Sequence, residues 1–210
     1  MTKKIILATR NKGKIKEIRS LFASAGIEIM SLDDIKGCPD IVEDGDTFKD
    51  NAFKKARGIT EATGLIALAD DSGLEVDALN GAPGVYSARF AGEGASDEAN
   101  NRKLLDMLQG VSDEKRTARF RCVVVLYDPS GRWISADGVC EGVILDILKG
   151  ENGFGYDPVF FLPWLGRTMA ELTKEEKNSI SHRAMALKKL KAGLPEFFKS
   201  KEGRGGASET

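Results

Sequence analysis

A four-residue apolar run, Leu65-Ile66-Ala67-Leu68, leads directly into Ala69-Asp70-Asp71-Ser72-Gly73. Short β-capable runs of this kind form buried strands. One that ends in two carboxylates, a hydroxyl and a glycine is expected to open into a site. Side chains alternate along a strand, so Asp70 and Asp71 are expected on opposite faces of the sheet that holds them. Adjacent carboxylates are costly to remove from water unless they meet a cation, a donor or solvent. A solvated turn meets the same requirement, so the pair alone does not distinguish a site from a bend.

The rest of the chain narrows the choice. Its 210 residues suit one domain with a sizeable core, and 41% hydrophobic with 30% charged residues is ordinary for a globular protein. A net charge of −1 provides no basic field for capturing nucleic acid, so no direct nucleic-acid binding is expected. No apolar run approaches a membrane span, which points to a cytoplasmic protein away from membranes. Three cysteines, Cys38, Cys122 and Cys140, without a C-x-x-C pair argue against a zinc cluster or a disulfide framework. His182 is the only histidine, so a metal is expected to be a hard cation on carboxylate oxygens, Mg²⁺ or Mn²⁺.

Periodicity places the elements. Residues 4–9 read as a buried first strand. After Arg10-Asn11-Lys12-Gly13-Lys14 comes a helix with Ile15, Ile18, Leu21, Phe22 and Ala25 on one face, expected to stop at Gly26. Residues 27–30 form a second strand, and 33–46 an irregular acidic segment. Asp46 is expected to cap a helix carrying Phe48, Ala52, Ala56, Ile59 and Ala62, which stops at Gly64. Ser96 is expected to cap another helix, through Leu104, Leu105 and Leu108 to Gly110. Residues 120–127 and 133–140 flank Asp128-Pro129-Ser130-Gly131 as a hairpin, and the all-apolar Val123-Val124-Val125-Leu126 predicts a strand covered on both faces. A last helix follows Ser181 with Ala184, Leu187 and Leu190. The pattern is α/β, a central mixed β-sheet flanked by helices, with one domain over 1–196 and a flexible tail over 197–210.

Several stretches suit nucleotide chemistry. A strand, a short basic glycine-containing loop and a helix start make an anion site, because the helix N-terminus offers unpaired N–H groups. Lys12 and Lys14 add charge there, and Gly13 permits close approach. No Walker or dinucleotide glycine pattern is present. One of Glu43, Asp44 and Asp46 can share a cation with Asp71. In Gly153-Phe154-Gly155-Tyr156-Asp157-Pro158 an aromatic ring can stack on a base. Arg183 carries only donors and would favour a keto oxygen on a purine over an amine.

Taken in order, five blocks resemble the inosine triphosphate pyrophosphatase family. They are Ala8-Thr9-Arg10-Asn11-Lys12-Gly13-Lys14, Ala69-Asp70-Asp71-Ser72-Gly73, Gly81-Ala82-Pro83-Gly84-Val85-Tyr86-Ser87-Ala88-Arg89, Gly153-Phe154-Gly155-Tyr156-Asp157-Pro158 and Glu176-Lys177-Asn178-Ser179-Ile180-Ser181-His182-Arg183. Arg10 stands where the family commonly has a glycine. The resemblance implies two lobes with a nucleotide cleft between them and hydrolysis of ITP, dITP and XTP to monophosphate and pyrophosphate. Such an activity cleanses the nucleotide pool and keeps these bases out of DNA and RNA. By the same resemblance, Thr9, Arg10, Asn11, Lys12, Gly13 and Lys14 would hold the triphosphate, with Ser72 touching substrate. Asp71 would be catalytic and, with Glu43, a Mg²⁺ ligand. Phe154, Gly155, Tyr156, Asp157, Lys177, His182 and Arg183 would form the base and sugar pocket, in a homodimer. Asp70 remains an alternative base. A pyrophosphatase for modified pyrimidine nucleotides and a non-catalytic nucleotide-binding module are the rival expectations.

Overall fold

In the computed structural model, residues 3–23, 26–35 and 37–199 are described. Among them, seven strands form one sheet: β1 (Lys3–Leu7), β2 (Ile27–Ser31), β3 (Ala67–Val76), β4 (Thr117–Tyr127), β5 (Trp133–Ile144), β6 (Phe160–Leu162) and β7 (Arg167–Thr168). Their order is β2-β1-β3-β4-β5-β6-β7; β1 runs parallel to β2 and β3, and every later neighbour is antiparallel. The helices are α1 (Lys12–Phe22), α2 (Phe48–Thr63), α3 (Asp97–Met107), α4 (Lys174–Ile180) and α5 (His182–Lys199).

Period-two alternation sorts the strand residues between two helical layers. Ile5, Leu7, Leu68, Val124 and Leu126 pack with Ile18 and Phe22 of α1 and Leu187 and Leu190 of α5. The intervening Ile6, Ala67, Ala69, Val123 and Val125 pack with Ala52, Ala56 and Ile59 of α2. A third cluster joins Leu74 and Val76 to Leu104 and Leu108 of α3 and to Phe120 and Phe160. The expected hairpin is β4–β5, in register from Thr117↔Val143 to Tyr127↔Trp133.

Four boundaries differ from expectation, each for a local reason. α1 is capped at its C-terminal end by Ala23, before Gly26, and Ala25 lies outside the described residues. α2 is capped by Thr47, whose hydroxyl accepts from the Asp50 N–H at 3.1 Å, so Asp46 is not the cap. α4 was hidden behind a capping box, Thr173-Lys174-Glu175-Glu176, that the apolar periodicity does not mark. α5 reaches Lys199 with Phe197 in the core, past the expected boundary at 196, and the remaining tail residues 200–210 lie outside the described residues.

The most consequential difference is in β3. The strand does not end at Asp70 but continues to Val76, paired with β4 along its whole length from Ala67↔Tyr127 to Val76↔Ala118. On its other edge β1 pairs only with Ala67 and Leu68, then turns away into α1. From Ala69 to Leu74 no strand pairs with that edge among the described residues, and at Glu75 an isolated bridge to Pro83 closes it. The chain therefore stays extended through Asp70-Asp71-Ser72-Gly73 while one side of it lies open, at the carboxyl end of β1, where ligands of open α/β sheets bind.

Candidate active site

Alternation does separate the two aspartates. Asp70 follows Leu68 onto the α1/α5 face and Asp71 follows Ala69 onto the α2 face. Asp70 is 0% exposed, and its Oδ1 pairs with Lys14 Nζ at 2.7 Å while its Oδ2 accepts from Arg183 Nε at 3.0 Å and from Cys122 Sγ at 3.2 Å. Burial alone would push this carboxyl up. The Arg183, Lys14 and Lys55 charges outweigh burial and hold it well below the ordinary aspartate range. Asp71 is 6% exposed and meets one cation, Lys55, with Nζ 3.1 Å from Oδ1. Its Oδ2 is buried with no hydrogen-bond partner. Burial, reinforced by the neighbouring Glu43 carboxylate and only partly offset by Lys55 and Lys14, pushes Asp71 up to about 6.

Lys55 is a site residue that the sequence reading missed. It reaches Glu43 Oε2 at 2.8 Å, the Asp70 carbonyl at 2.8 Å and Asp71 Oδ1 at 3.1 Å. The signal was present: Ala52, Lys55, Ala56 and Ile59 share one stripe of α2, and a lysine on an apolar stripe needs a buried anion. Glu17 was missed for the same reason. It lies beside Ile18 on the buried side of α1, pairing with Arg183 Nη1 at 2.5 Å and Lys177 Nζ at 2.9 Å.

These groups face a cavity of about 480 Å³ whose wall includes Thr9, Arg10, Asn11, Lys14, Glu43, Lys55, Asp71, Ser72, Phe154, Gly155, Tyr156, Asp157, Lys177, His182 and Arg183. Nearly every residue assigned from the sequence is therefore brought together. Lys12 and Gly13 are the exceptions: neither is part of the wall, and Lys12, at the first position of α1, has an exposed side chain. Asn11 caps α1 by accepting from the Lys14 N–H at 3.0 Å. Arg10 turns its guanidinium to Asp33 at 3.0 Å and Asp40 at 3.1 Å, tying the turn to the acidic segment that leads to Glu43.

On the facing wall, Asp157 Oδ2 accepts from the Phe154 N–H at 2.9 Å and from Lys177 Nζ at 2.5 Å. Tyr156 turns inward and donates its hydroxyl to the Ser87 carbonyl at 2.9 Å, while the Phe154 ring lies in the cavity wall with Lys177 Nζ 4.8 Å from its centroid. His182 stacks on Phe120 with centroids 4.9 Å apart, and its Nδ1 has no partner among the described residues. Burial, followed by the Arg183 and Lys177 charges, pushes it well below the usual histidine value, so the imidazole is neutral. Arg183 is 1% exposed and donates to Asp70, Glu17 and, at 2.9 Å, Ser72 Oγ, which engages three of its five N–H donors. It is first a structural clasp.

Gly13 borders the cavity indirectly. A Cβ there would stand 2.6 Å from Phe154 Cδ1, so the ring lies flat on the glycine backbone. Gly13→Ala is expected to displace that ring and raise KM several-fold with little change in kcat; an unchanged KM in steady-state kinetics removes the contact from the binding argument.

No group of three or more His, Cys, Asp or Glu converges among the described residues. Glu43 and Asp71 nevertheless offer hard oxygen donors, one of them the unpartnered Asp71 Oδ2. Mg²⁺ is commonly held by one or two carboxylates together with substrate phosphates and water, so this donor set fits it.

The model of the Ham1 family matches residues 5–193, almost the whole described chain. The chain belongs to the Ham1 family. Among Ham1 relatives, it is 60% identical to the dITP/XTP pyrophosphatase of Desulforamulus reducens over 195 residues, covering 93% of this chain and 97% of that protein. The dITP/XTP pyrophosphatase of Geobacter sulfurreducens is 54% identical over 191 residues, covering 91% and 96%. The solved Ham1 protein of Staphylococcus aureus superposes with a TM-score of 0.82 at 43% identity, over 93% of this chain and 100% of that one. A HAM1 protein from Coxiella burnetii gives 0.84 at 44%, over 92% and 99%. The α/β fold with its mixed sheet is thus that of the Ham1 structures.

Proposed function

We propose that this protein hydrolyses deaminated purine nucleoside triphosphates, dITP, ITP and XTP, to the monophosphate and pyrophosphate. One observation carries the reading: Lys14 and Asp71, 57 residues apart in the chain and on different elements, border the same cavity, with Phe154 on its other wall. The names of the relatives, dITP/XTP pyrophosphatases, support two of these substrates, dITP and XTP. The triphosphate lies along the start of α1 and Lys14, where N–H groups and charge favour anions. Phe154 stacks on the base, and the neutral His182 presents its free Nδ1 to the base or sugar.

Asp71 is the base. Its carboxyl at about 6 is matched to accepting a proton near neutral pH, and its Oδ2 is unpartnered. Asp70, held well below the aspartate range and paired on both oxygens, is too weak a base for the task. Asp71 orients a water for attack at the α-phosphorus, and Lys14 and Lys55 offset charge as pyrophosphate leaves. Glu43 and Asp71 would hold Mg²⁺, or Mn²⁺, which when bound neutralises phosphate oxygens. We read the protein as a cytoplasmic homodimer that binds no nucleic acid directly. No described helix is long and apolar enough to cross a membrane.

Product analysis tests the reading. With Mg²⁺, ITP is expected to give inosine monophosphate and pyrophosphate, and EDTA is expected to stop turnover. Inosine diphosphate with orthophosphate, or faster turnover of a modified pyrimidine triphosphate in the same panel, overturns it.

A further inference from the structure

The aromatic loop hangs from α3 through a single residue. Gly155, with φ +63°, donates its N–H to Asp97 Oδ2 at 2.6 Å, and its carbonyl accepts from Asn101 Nδ2 at 2.8 Å. Asp97 and Asn101 are four residues apart and so lie on one face of α3. Asn101 is 2% exposed, and the same amide nitrogen also donates to the Asp97 carbonyl at 2.9 Å, which fixes its orientation. The next face of the helix is tied down separately: Asn100 accepts from the Ala91 N–H at 2.8 Å and donates to the Ala88 carbonyl at 3.3 Å. Gly155 is therefore gripped at both backbone groups by an anchored helix, and Phe154 and Tyr156 are its immediate neighbours.

From this geometry we propose that Asp97 and Asn101 are positioning residues that set the affinity of the site for the purine by holding Phe154 in the cavity wall. The proposal rests on the nucleotide reading above. Phe154 lies on Gly13 with Lys177 Nζ 4.8 Å from its centroid, so a shift of the loop moves the aromatic ring assigned to the base. The phosphate wall of Lys14 and Lys55 belongs to other elements and is left in place. The latch thus acts on binding of the base and leaves the bond-breaking step alone.

A carboxylate at the first position of a helix also complements the helix dipole. Asp97→Asn separates the two roles, because the amide oxygen can still accept from Gly155 while the charge is gone. With ITP, D97A and N101A are each expected to raise KM by about tenfold, in keeping with loss of one charge-assisted or buried hydrogen bond, with kcat within about twofold. D97N is expected to stay within about threefold of wild-type KM. Calorimetry is expected to show D97A weakening inosine monophosphate about tenfold and pyrophosphate not at all. A fall in kcat that matches the fall in kcat/KM, D97N behaving like D97A, or equal weakening of pyrophosphate overturns the proposal. Asp97 is solvent-exposed, so D97A decides the matter if N101A fails to fold. Wild-type protein that releases no pyrophosphate while D97A still weakens the monophosphate sinks the activity and leaves the latch. Active wild type with D97A unchanged sinks the latch alone.

Discussion

Asp71→Asn is expected to lose about 10²–10⁴ in kcat with ITP and Mg²⁺, the span of a removed general base, while the folded protein becomes more stable. Asparagine keeps the shape, fits beside Lys55 and removes the ionisable group. In the folded state Asp71 sits at about 6 against an ordinary value of 3.8, so between those values the native protein binds more protons than the unfolded one. Stability contributed by the protonated carboxyl is present at low pH and is lost as pH rises through about 6. Above that, ionised Asp71 costs on the order of 3 kcal/mol at 1.36 kcal/mol per pKa unit, a cost Asn does not carry. Thermal melts without divalent metal should therefore show D71N gaining over wild type at pH 8 and the gain shrinking toward pH 4. Full turnover in D71N with Mg²⁺ removes Asp71 from catalysis, and an equal melting point at both pH values removes the argument from burial.

Arg183→Ala is expected to destabilise the fold by about 3–5 kcal/mol, because it leaves Asp70 and Glu17 buried with fewer positive partners. Arg183 bridges β3 and α1 from the start of α5, pairing with Asp70 Oδ2 at 3.0 Å and Glu17 Oε2 at 2.5 Å. Lysine is not an adequate substitute, since a point charge cannot reproduce three donors in a planar fork. Urea unfolding of R183A and R183K measures the loss, and both are expected to be well below wild type. The sequence alone suggested a milder result, a raised KM from a lost contact with the purine 6-oxygen. Stability of R183A within about 1 kcal/mol of wild type, the size of an ordinary surface substitution, together with a higher KM would restore that simpler role.

Much of the cavity wall was legible in the sequence. Motif order placed Thr9, Asn11, Lys14, Ser72, Phe154, Lys177 and His182 together, and all of them border one cavity. Two lysines were misjudged in opposite directions. Lys12 stands in the basic turn yet points to solvent, while Lys55, outside every motif, joins Glu43 to Asp71. A helix rotates by about 100° per residue, so a neighbour in sequence is not a neighbour in space. Tyr156 likewise shares the aromatic loop with Phe154 but is committed to Ser87 in the core.

By itself the sequence determined the order of β1 to β5 with α1, α2, α3 and α5, the hairpin, the α/β class and the division of Asp70 from Asp71 between two faces, but not α4, β6 or β7. Those properties follow from local periodicity, turn chemistry and the alternation of an extended chain. Only the tertiary structure decided that β3 continues past the aspartates, that Arg183 serves the core first, and which aspartate is held ionised and which is pushed up to about 6. A buried carboxyl takes its protonation from whichever cations reach it. For Asp70 those are Lys14 and Arg183, 56 and 113 residues distant along the chain, for which local pattern carries no signal.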